Sequence, residues 1–267
     1  MTLFHLFLVA VIQGITEFLP ISSSGHLALL PMLVPVPDQG LTIDVAVHVG
    51  SLFAVIIYFR SDVAIAAAGC LRLLKGRVDT KGAFLALCLV AATIPVILAG
   101  LALKLTGFDT ALRSIAVIGW TTLGFGIVLY WADKTGDTDR TAETWTIKDA
   151  VAMGLAQILS LIPGTSRSGI TITAARKLGY GRSDAAKLSM LMSIPTIIAS
   201  GTLLGIEVAG QADAQMARDG AIAAVFSFVA ALGALAIMMR LLKSVSFTPY
   251  VLYRIVLGTA LLVYAYS

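Results

Sequence analysis

Residues 14–26 read Gly-Ile-Thr-Glu-Phe-Leu-Pro-Ile-Ser-Ser-Ser-Gly-His, and the last Pro-to-Gly stretch among them (20–25) interrupts an apolar region that runs from Leu3 to Met32. A second apolar region, from Ala150 to Ala175, is interrupted by Pro-Gly-Thr-Ser-Arg-Ser-Gly at 163–169. Each interruption divides its region into two half-length helices. Backbone that is not helical survives at membrane depth only where protein or a water-filled cavity satisfies it. Both regions are therefore predicted to be re-entrant helix hairpins, with surface loops between short helices as the alternative.

The composition indicates a protein that crosses a membrane several times. Of its 267 residues, 58% are hydrophobic and 13% are charged, whereas a soluble domain carries about 25% charged residues. A helix of about 20 residues crosses the hydrocarbon core. Six further segments are long and apolar enough to do so: Ile43 to Phe59, Phe84 to Leu103, Leu112 to Trp131, Leu188 to Ile206, Ala221 to Met239 and Pro249 to Tyr266. The predicted fold class is an all-α polytopic membrane protein.

The two halves of the chain resemble each other. Gln13 precedes Gly25, the last residue of the first interruption, by as many positions as Gln157 precedes Gly169, the last residue of the second. Each hairpin is followed by three spans. Residues 93–97 are also similar to residues 193–197. The two stretches do not occupy equivalent positions in their repeats, because an additional span precedes residues 93–97 in the first half. The sequence predicts a single membrane domain, with a first repeat over residues 1–131 and a second over residues 148–267.

Basic residues predict the orientation of the segments. No Lys or Arg precedes Arg60, and five then crowd a loop that also contains Cys70. The positive-inside rule places this loop in the cytoplasm, and counting spans forward places the basic loops near Lys134, Arg176 and Arg240 there too. The first hairpin then enters from outside and the second from inside, so the repeats are inverted and the predicted site lies near the midplane. The net charge of +4 is explained by these loops and requires no nucleic acid.

Few ionisable side chains lie within the interrupted regions. The first region holds His5, Glu17 and His26, and the second holds only Arg167. Ionisable groups inside a membrane are costly and point to function. The start of each second half-helix also exposes N–H groups that suit an anion. Hydroxyl groups and glycines flank both starts: Ser22, Ser23, Ser24, Gly25, Gly164, Thr165, Ser166 and Ser168. These donors and one permanent cation suit phosphate, and close helix packing is the alternative for the serines.

Two further polar pairs are weaker candidates. Asp44 and His48 lie four residues apart near the outer end of the first full span, where such residues are more often interfacial or packing groups. Tyr253 and Arg254, near the cytoplasmic end of the last span, are interpreted as interface anchors.

Three motifs resemble the bacterial undecaprenyl-diphosphatase, or bacitracin-resistance, family. They are residues 14–26, residues 163–169, and Ser-Phe-Thr-Pro-Tyr at 246–250 followed by Tyr253 and Arg254. The resemblance spans nearly the whole chain. It implies hydrolysis of undecaprenyl diphosphate to the monophosphate, which recycles the lipid carrier of cell-wall synthesis in the bacterial inner membrane. It also implies a divalent cation, Mg²⁺ or Ca²⁺, and an active site open to the outer, periplasmic face.

By matching positions, the resemblance implies that Glu17, Ser23, His26 and Arg167 are active-site residues. The attacking group stays open between Ser23, His26 and water. The family often has a second Glu where this chain has Gln13, one turn before Glu17 on the same helix face. Because Mg²⁺ commonly needs only one or two protein carboxylates in addition to substrate phosphates, Glu17 could suffice as the metal ligand, with Gln13 beside the substrate.

Two other functions stay open from the sequence. Inverted repeats and broken helices are transporter features, so a transporter or flippase of an anionic polyprenyl phosphate lipid is the main alternative. Ser23 and His26 near Glu17 favour an enzyme, since a carrier needs no nucleophile or base. A protein that sequesters the lipid would bind it without turnover. The expected partners are the polyprenyl diphosphate lipid and the bilayer, and a homodimer stays open.

Overall fold

The computed structural model describes residues 2–33, 40–107, 112, 114–208 and 214–267. These residues form α-helices joined by short connections, and no β-strand is found among them. The helices, in chain order, are α1 (Leu3–Phe18), α2 (Ser23–Leu33), α3 (Gly40–Tyr58), α4 (Arg60–Leu73), α5 (Lys81–Thr106), α6 (Ile115–Thr135), α7 (Ile147–Gln157), α8 (Arg167–Lys177), α9 (Arg182–Val208), α10 (Ala214–Leu241) and α11 (Thr248–Tyr266). The all-α fold class is confirmed.

Six of the helices are long and apolar enough to cross a membrane, namely α3, α5, α6, α9, α10 and α11. They correspond to the six predicted spans. The main differences are that α9 begins at Arg182 and α10 at Ala214, whereas hydropathy placed these starts at Leu188 and Ala221. The additional turns carry charged residues such as Asp184 and Arg218, so the apolar pattern starts later than the helix does.

The basic segment after the first span is a helix, not the predicted loop. Helix α4 covers residues 60–73 and includes Cys70. Its alanine-rich sequence at 63–68 favours helix, and it packs against α5. The two backbones approach so closely that a Cβ on Gly69 would lie 2.1 Å from the carbonyl oxygen of Gly82. The hydropathy of this segment is too low to mark it as a span, so apolar patterning alone does not predict this helix.

Both predicted interruptions are breaks between helices, and their local structures match. Helix α1 ends at Phe18 and α2 begins at Ser23, while α7 is followed by a 3₁₀ turn (Ile158–Leu161) and α8 begins at Arg167. Ser22 and Ser166 have φ of 73° and 72°. The Oγ of each accepts a hydrogen bond from the glycine N–H three residues later, at 3.3 and 3.1 Å. Each serine therefore caps the half-helix that follows its break.

The two halves of the chain interlock. Helix α1 of the first half packs on α10 of the second, and α7 of the second half packs on α5 of the first. In the same way α3 packs on α10 and α9 packs on α5. Helices α3 and α9 contact each other, as do α6 and α11. Each broken helix pair is therefore held by a long helix from the other half.

The basic segments meet at one end of the helical bundle. The Asp133 carboxylate, at the end of α6, accepts hydrogen bonds from Arg176 and Arg182 and from the backbone N–H of Phe247. A salt bridge of 2.7 Å between Lys187 and Asp62 joins α9 to α4 at the same end.

A second polar cluster ties the loop before α7 to the loop after α8. Arg140 forms a salt bridge with Asp149, which also accepts a hydrogen bond from the Tyr180 hydroxyl at 2.8 Å. Burial raises the pKa of Tyr180, and the neighbouring Asp149 raises it further. Tyr180 therefore stays protonated at neutral pH and keeps donating to Asp149.

Candidate active site

A small polar cavity of about 230 Å³ lies between the two breaks. Pockets that enclose a drug-sized ligand are usually about 300–1,000 Å³, so this cavity suits a compact polar group. Its lining is rich in hydroxyl groups and charged side chains: Glu17, Ser22, Ser23, Ser24, His48, Ser160, Ser166, Arg167, Thr196 and Ser200, with Val96, Leu161 and Ile197 as apolar neighbours.

Glu17 is the centre of the hydrogen-bond network beside the cavity. Its side chain is only 7% exposed. Oε1 accepts from Arg167 Nη2 at 2.8 Å, and Oε2 accepts from Ser23 Oγ at 2.7 Å and from Gln13 Nε2 at 2.9 Å. The carboxylate thus joins the first interruption to the second across 150 residues of sequence. The predicted proximity of Glu17, Ser23 and Arg167 is what the structure shows.

Arg167 is the first residue of α8, directly after the second break. Its side chain is 12% exposed, and one arm of the guanidinium is paired with Glu17. The other arm, Nη1, is buried and has no hydrogen-bond partner in the parts of the chain that the structure describes. A buried donor is costly to leave unpaired, so this arm is suited to bind an oxygen of a ligand.

The remaining predicted residues divide into those that line the cavity and those that support its walls. Ser22, Ser24 and Ser166 line it. The supporting residues are Gln13, Gly25, Gly164, Thr165 and Ser168, none of which is part of the lining. Ser168 Oγ, for example, donates to the backbone oxygen of Leu19 and so joins α8 to the first break.

Gly164 shows why one of these positions needs glycine. Its φ is +88°, and a Cβ there would lie 2.2 Å from Thr121 Oγ1 and 2.6 Å from the carbonyl oxygen of Ile118. Only glycine adopts this backbone conformation without strain, and only glycine lets the second break lie directly against α6.

His26 is not brought to Glu17 or Arg167. Its Nδ1 lies 2.7 Å from the backbone oxygen of Ser22, its Nε2 lies 2.5 Å from the Tyr253 hydroxyl, and the two rings stack with an interplanar angle of 6°. The ring is not part of the cavity lining. His48, a weaker candidate from the sequence, does line the cavity.

Arg254 is not the interface anchor that the sequence suggested, because it is fully buried. Its guanidinium donates to five backbone oxygens, which belong to Pro20, Thr121, Thr122, Gly164 and Thr165. Three of these oxygens lie in the two breaks, where helix hydrogen bonds are missing. Arg254 thus holds both breaks against α6. An arginine inside an apolar span was the available signal.

A divalent cation would have one protein carboxylate at the cavity. Among the described residues no group of three or more His, Cys, Asp or Glu side chains could hold a metal ion. Glu17 already accepts three hydrogen bonds, and a carboxylate offers about four lone-pair sites. One site therefore stays available, which fits a cation whose other ligands are substrate oxygens and water.

Comparisons with known proteins agree over the whole chain. A family model described as bacitracin resistance protein BacA matches residues 6–260. The chain is 75% identical to the undecaprenyl-diphosphatase of Roseobacter denitrificans and 71% identical to that of Dinoroseobacter shibae, in both cases over 100% of each chain. A more distant relative from Hahella chejuensis with the same name is 43% identical over 100% of this chain and 99% of its own.

Proposed function

The chain belongs to the bacitracin resistance protein BacA family, and on that premise we propose that it is a membrane phosphatase that hydrolyses undecaprenyl diphosphate to undecaprenyl phosphate and inorganic phosphate. Its relatives at 65–75% identity carry the name undecaprenyl-diphosphatase. The observation that carries the proposal is the Arg167–Glu17–Ser23 network beside a polar cavity, with one buried arm of Arg167 unpaired among the described residues.

The residues of the network divide the chemistry between them. Arg167 and the N–H groups at the starts of α2 and α8 hold the diphosphate, whose terminal phosphorus is attacked. Glu17 accepts the proton of Ser23 Oγ, or of a water molecule that Ser23 positions, and the bond from phosphorus to the bridging oxygen breaks. Undecaprenyl phosphate leaves with that electron pair. If water attacks, inorganic phosphate forms directly. If Ser23 attacks, a phosphoserine forms, which water then hydrolyses to inorganic phosphate, restoring the Ser23 hydroxyl. Charge stabilisation by Arg167 dominates, because phosphoryl transfer depends mainly on positioning and electrostatics.

His26 stays a predicted site residue. Its Nδ1 lies within hydrogen-bond distance of the Ser22 backbone oxygen and its Nε2 within that of the Tyr253 hydroxyl, so an attack through Nε2 would require the ring to give up Tyr253. This geometry favours Ser23 or water as the nucleophile.

We further propose that Mg²⁺ or Ca²⁺ binds with the substrate at Glu17. The cation would neutralise charge on the phosphate oxygens. The support is the remaining lone-pair site of Glu17 and the preference of Mg²⁺ for one or two carboxylates plus phosphates. Gln13, where a second carboxylate would stand, instead donates to Glu17.

The proposed location is the bacterial inner membrane, with the cavity open to the periplasm and the two repeats inverted. Two contacts support this topology. The start of α1 packs with the starts of α3 and α10, through residues such as Leu6, Ile43 and Ala223. The start of α7 lies at the basic end, where Asp149 pairs with Arg140. The two broken helices thus begin at opposite ends of the bundle, and the basic end is cytoplasmic by the positive-inside rule.

Phosphate release by the purified chain in detergent tests the proposal. Detergent removes the second compartment, so a transporter or flippase would bind undecaprenyl diphosphate without releasing phosphate, and so would a sequestering protein. We expect release by the wild type and a large loss in Glu17→Gln, whose uncharged amide cannot serve as the base. Binding of the lipid without any phosphate release would refute the phosphatase assignment.

A further inference from the structure

We propose that His48 is a substrate-contacting residue, and that its Nε2 binds a phosphate oxygen of the diphosphate. This inference rests on the proposed function and adds a residue to its site. The chain has three histidines, all within the described segments, and His48 alone among them lines the cavity. It reaches the cavity from α3, an element that provides no other polar lining residue.

A hydrogen bond to the backbone of its own helix fixes the orientation of the His48 ring. Its Nδ1 lies 2.7 Å from the backbone oxygen of Asp44, one turn earlier in α3. Because a carbonyl oxygen only accepts, Nδ1 carries the hydrogen. The other ring nitrogen, Nε2, is thereby directed away from the helix, and the side chain is 36% exposed. The imidazole presents one polar atom to the cavity in a set orientation.

The contact between His48 and Glu17 is too long for a hydrogen bond. His48 Nε2 lies 3.8 Å from Glu17 Oε2, which is beyond hydrogen-bond distance. Nε2 therefore makes no direct hydrogen bond to Glu17 and stays able to bind a ligand atom that lies beside the two groups. Glu17 Oε2 is the oxygen that accepts from Ser23, so an oxygen bound by His48 would lie beside the Ser23 hydroxyl. A phosphate oxygen bound there would bring its phosphorus next to Ser23, as attack on phosphorus by Ser23 or by a neighbouring water molecule requires.

His26 differs from His48 because its Nε2 has a partner within hydrogen-bond distance in the protein. Both nitrogens of His26 have a protein partner, Ser22 and Tyr253, whereas Nε2 of His48 has only the distant Glu17 contact among the described residues. The role of His48 does not depend on its charge. A protonated Nε2 donates to a phosphate oxygen, and a neutral one accepts from a phosphate hydroxyl or from bound water.

Two substitutions separate hydrogen bonding from the space that the ring fills. Glutamine keeps a polar group near the position of Nε2, whereas leucine fills a similar volume without one. We expect His48→Leu to raise KM for undecaprenyl diphosphate at least tenfold and to lower kcat/KM by at least the same factor. His48→Gln should stay within about threefold of wild type in kcat/KM. Phe53→Leu, on the exposed side of α3, controls for a leucine introduced into this helix and should leave both constants unchanged.

A binding measurement keeps the inference separate from the proposed function. Inorganic pyrophosphate should raise the unfolding temperature of the wild type and of His48→Gln, because a ligand stabilises the state that binds it. We expect no such rise in His48→Leu, whose unfolding temperature without ligand should match wild type. Absence of turnover in the wild type would count against the phosphatase and not against His48. Wild-type constants in His48→Leu, or an equal loss in the Gln and Leu variants, would remove His48 from the site.

Discussion

At the scale of single residues, Glu17 forms a salt bridge with one arm of Arg167 and so holds the guanidinium beside the cavity. One arm of the guanidinium is neutralised by that carboxylate while the other has no partner in the described chain. A pair of opposite charges is less costly to bury than an isolated arginine. In the proposed mechanism the substrate phosphates bind the open arm, and Glu17 takes a proton from Ser23 or from a water molecule.

The fork geometry of Arg167 should be required in addition to its charge. Lysine keeps the charge but cannot bind Glu17 and a phosphate oxygen through two fixed N–H arms. We expect Arg167→Lys to lower kcat/KM at least tenfold, about 1.4 kcal/mol of transition-state stabilisation. Arg240→Lys, at the exposed end of α10, is the matched control and should behave as wild type. Wild-type rates in Arg167→Lys would remove Arg167 from the site.

Substitutions at Gln13 and Glu17 test the proposed binding of a divalent cation. Glu17→Gln should abolish activity and its metal dependence. Gln13→Glu replaces a donor that lies 2.9 Å from Glu17 Oε2 with a second carboxylate, which would repel Glu17 unless a cation lies between them. The activity of Gln13→Glu, measured against Mg²⁺ and Ca²⁺ concentration, should therefore be low without metal and equal or exceed wild type at high metal. Inactivity at every metal concentration, together with an active Glu17→Gln, would show that Glu17 is not the metal-binding carboxylate.

At the scale of helices, the two breaks stay open because other elements satisfy their backbone. Arg254 of α11 donates to Pro20 in the first break and to Gly164 and Thr165 in the second. Backbone groups in lipid that lack a partner cost several kcal/mol. The arginine therefore allows both half-helices to begin beside the cavity, and it acts on the site through their positions.

Replacement of Arg254 should change the positions of the two breaks, and with them the site residues, although Arg254 does not line the cavity. Arg254→Lys keeps a cation but cannot reach all five carbonyls, and each one left unpaired costs about 1–3 kcal/mol. We expect a lower unfolding temperature in detergent, measured by thermal shift, together with a lower kcat. Lys243→Arg, in the exposed turn after α10, is the control. An unchanged unfolding temperature in Arg254→Lys would contradict the role of Arg254 as the support of both breaks.

The sequence predicts those helices, breaks and site residues that a short stretch of neighbouring residues is enough to identify. Six long apolar segments and two interruptions are visible in hydropathy, and charges within the interrupted regions point to Glu17 and Arg167. The contact between His26 and Tyr253 joins residues 227 positions apart, and nothing local indicates it. Arg254 was misread for the same reason: its partners lie in three distant segments, so its burial follows only from packing of α11 on α6.

At the scale of the whole molecule, interlocking of the halves places the site between them. Glu17 comes from the first broken helix and Arg167 from the second, and each broken pair packs on a long helix of the other half. The contact between Glu17 and Arg167 therefore forms only when both halves are assembled.

The orientation can be tested by cysteine labelling. In a background with Cys70→Ser and Cys88→Ala, a cysteine at Ser61 or Thr80 should react with an impermeant maleimide only after the cells are opened, because both positions are exposed at the basic end. A cysteine at Gln39 or Asp213 should react in intact spheroplasts. These two positions lie outside the described residues, so their placement rests on the order of spans and the positive-inside rule.

The native Cys70 provides an internal control for the same experiment. It is exposed on α4, so in Cys88→Ala it should be protected in intact spheroplasts and labelled once they are opened, as at Ser61. Agreement of these reporters would fix the basic end in the cytoplasm. Because α1 begins at the opposite end from α7, the first hairpin would then have to enter from the periplasm and the second from the cytoplasm. Labelling of Gln39 from the cytoplasm alone would overturn the inverted arrangement, even if the phosphatase activity were intact.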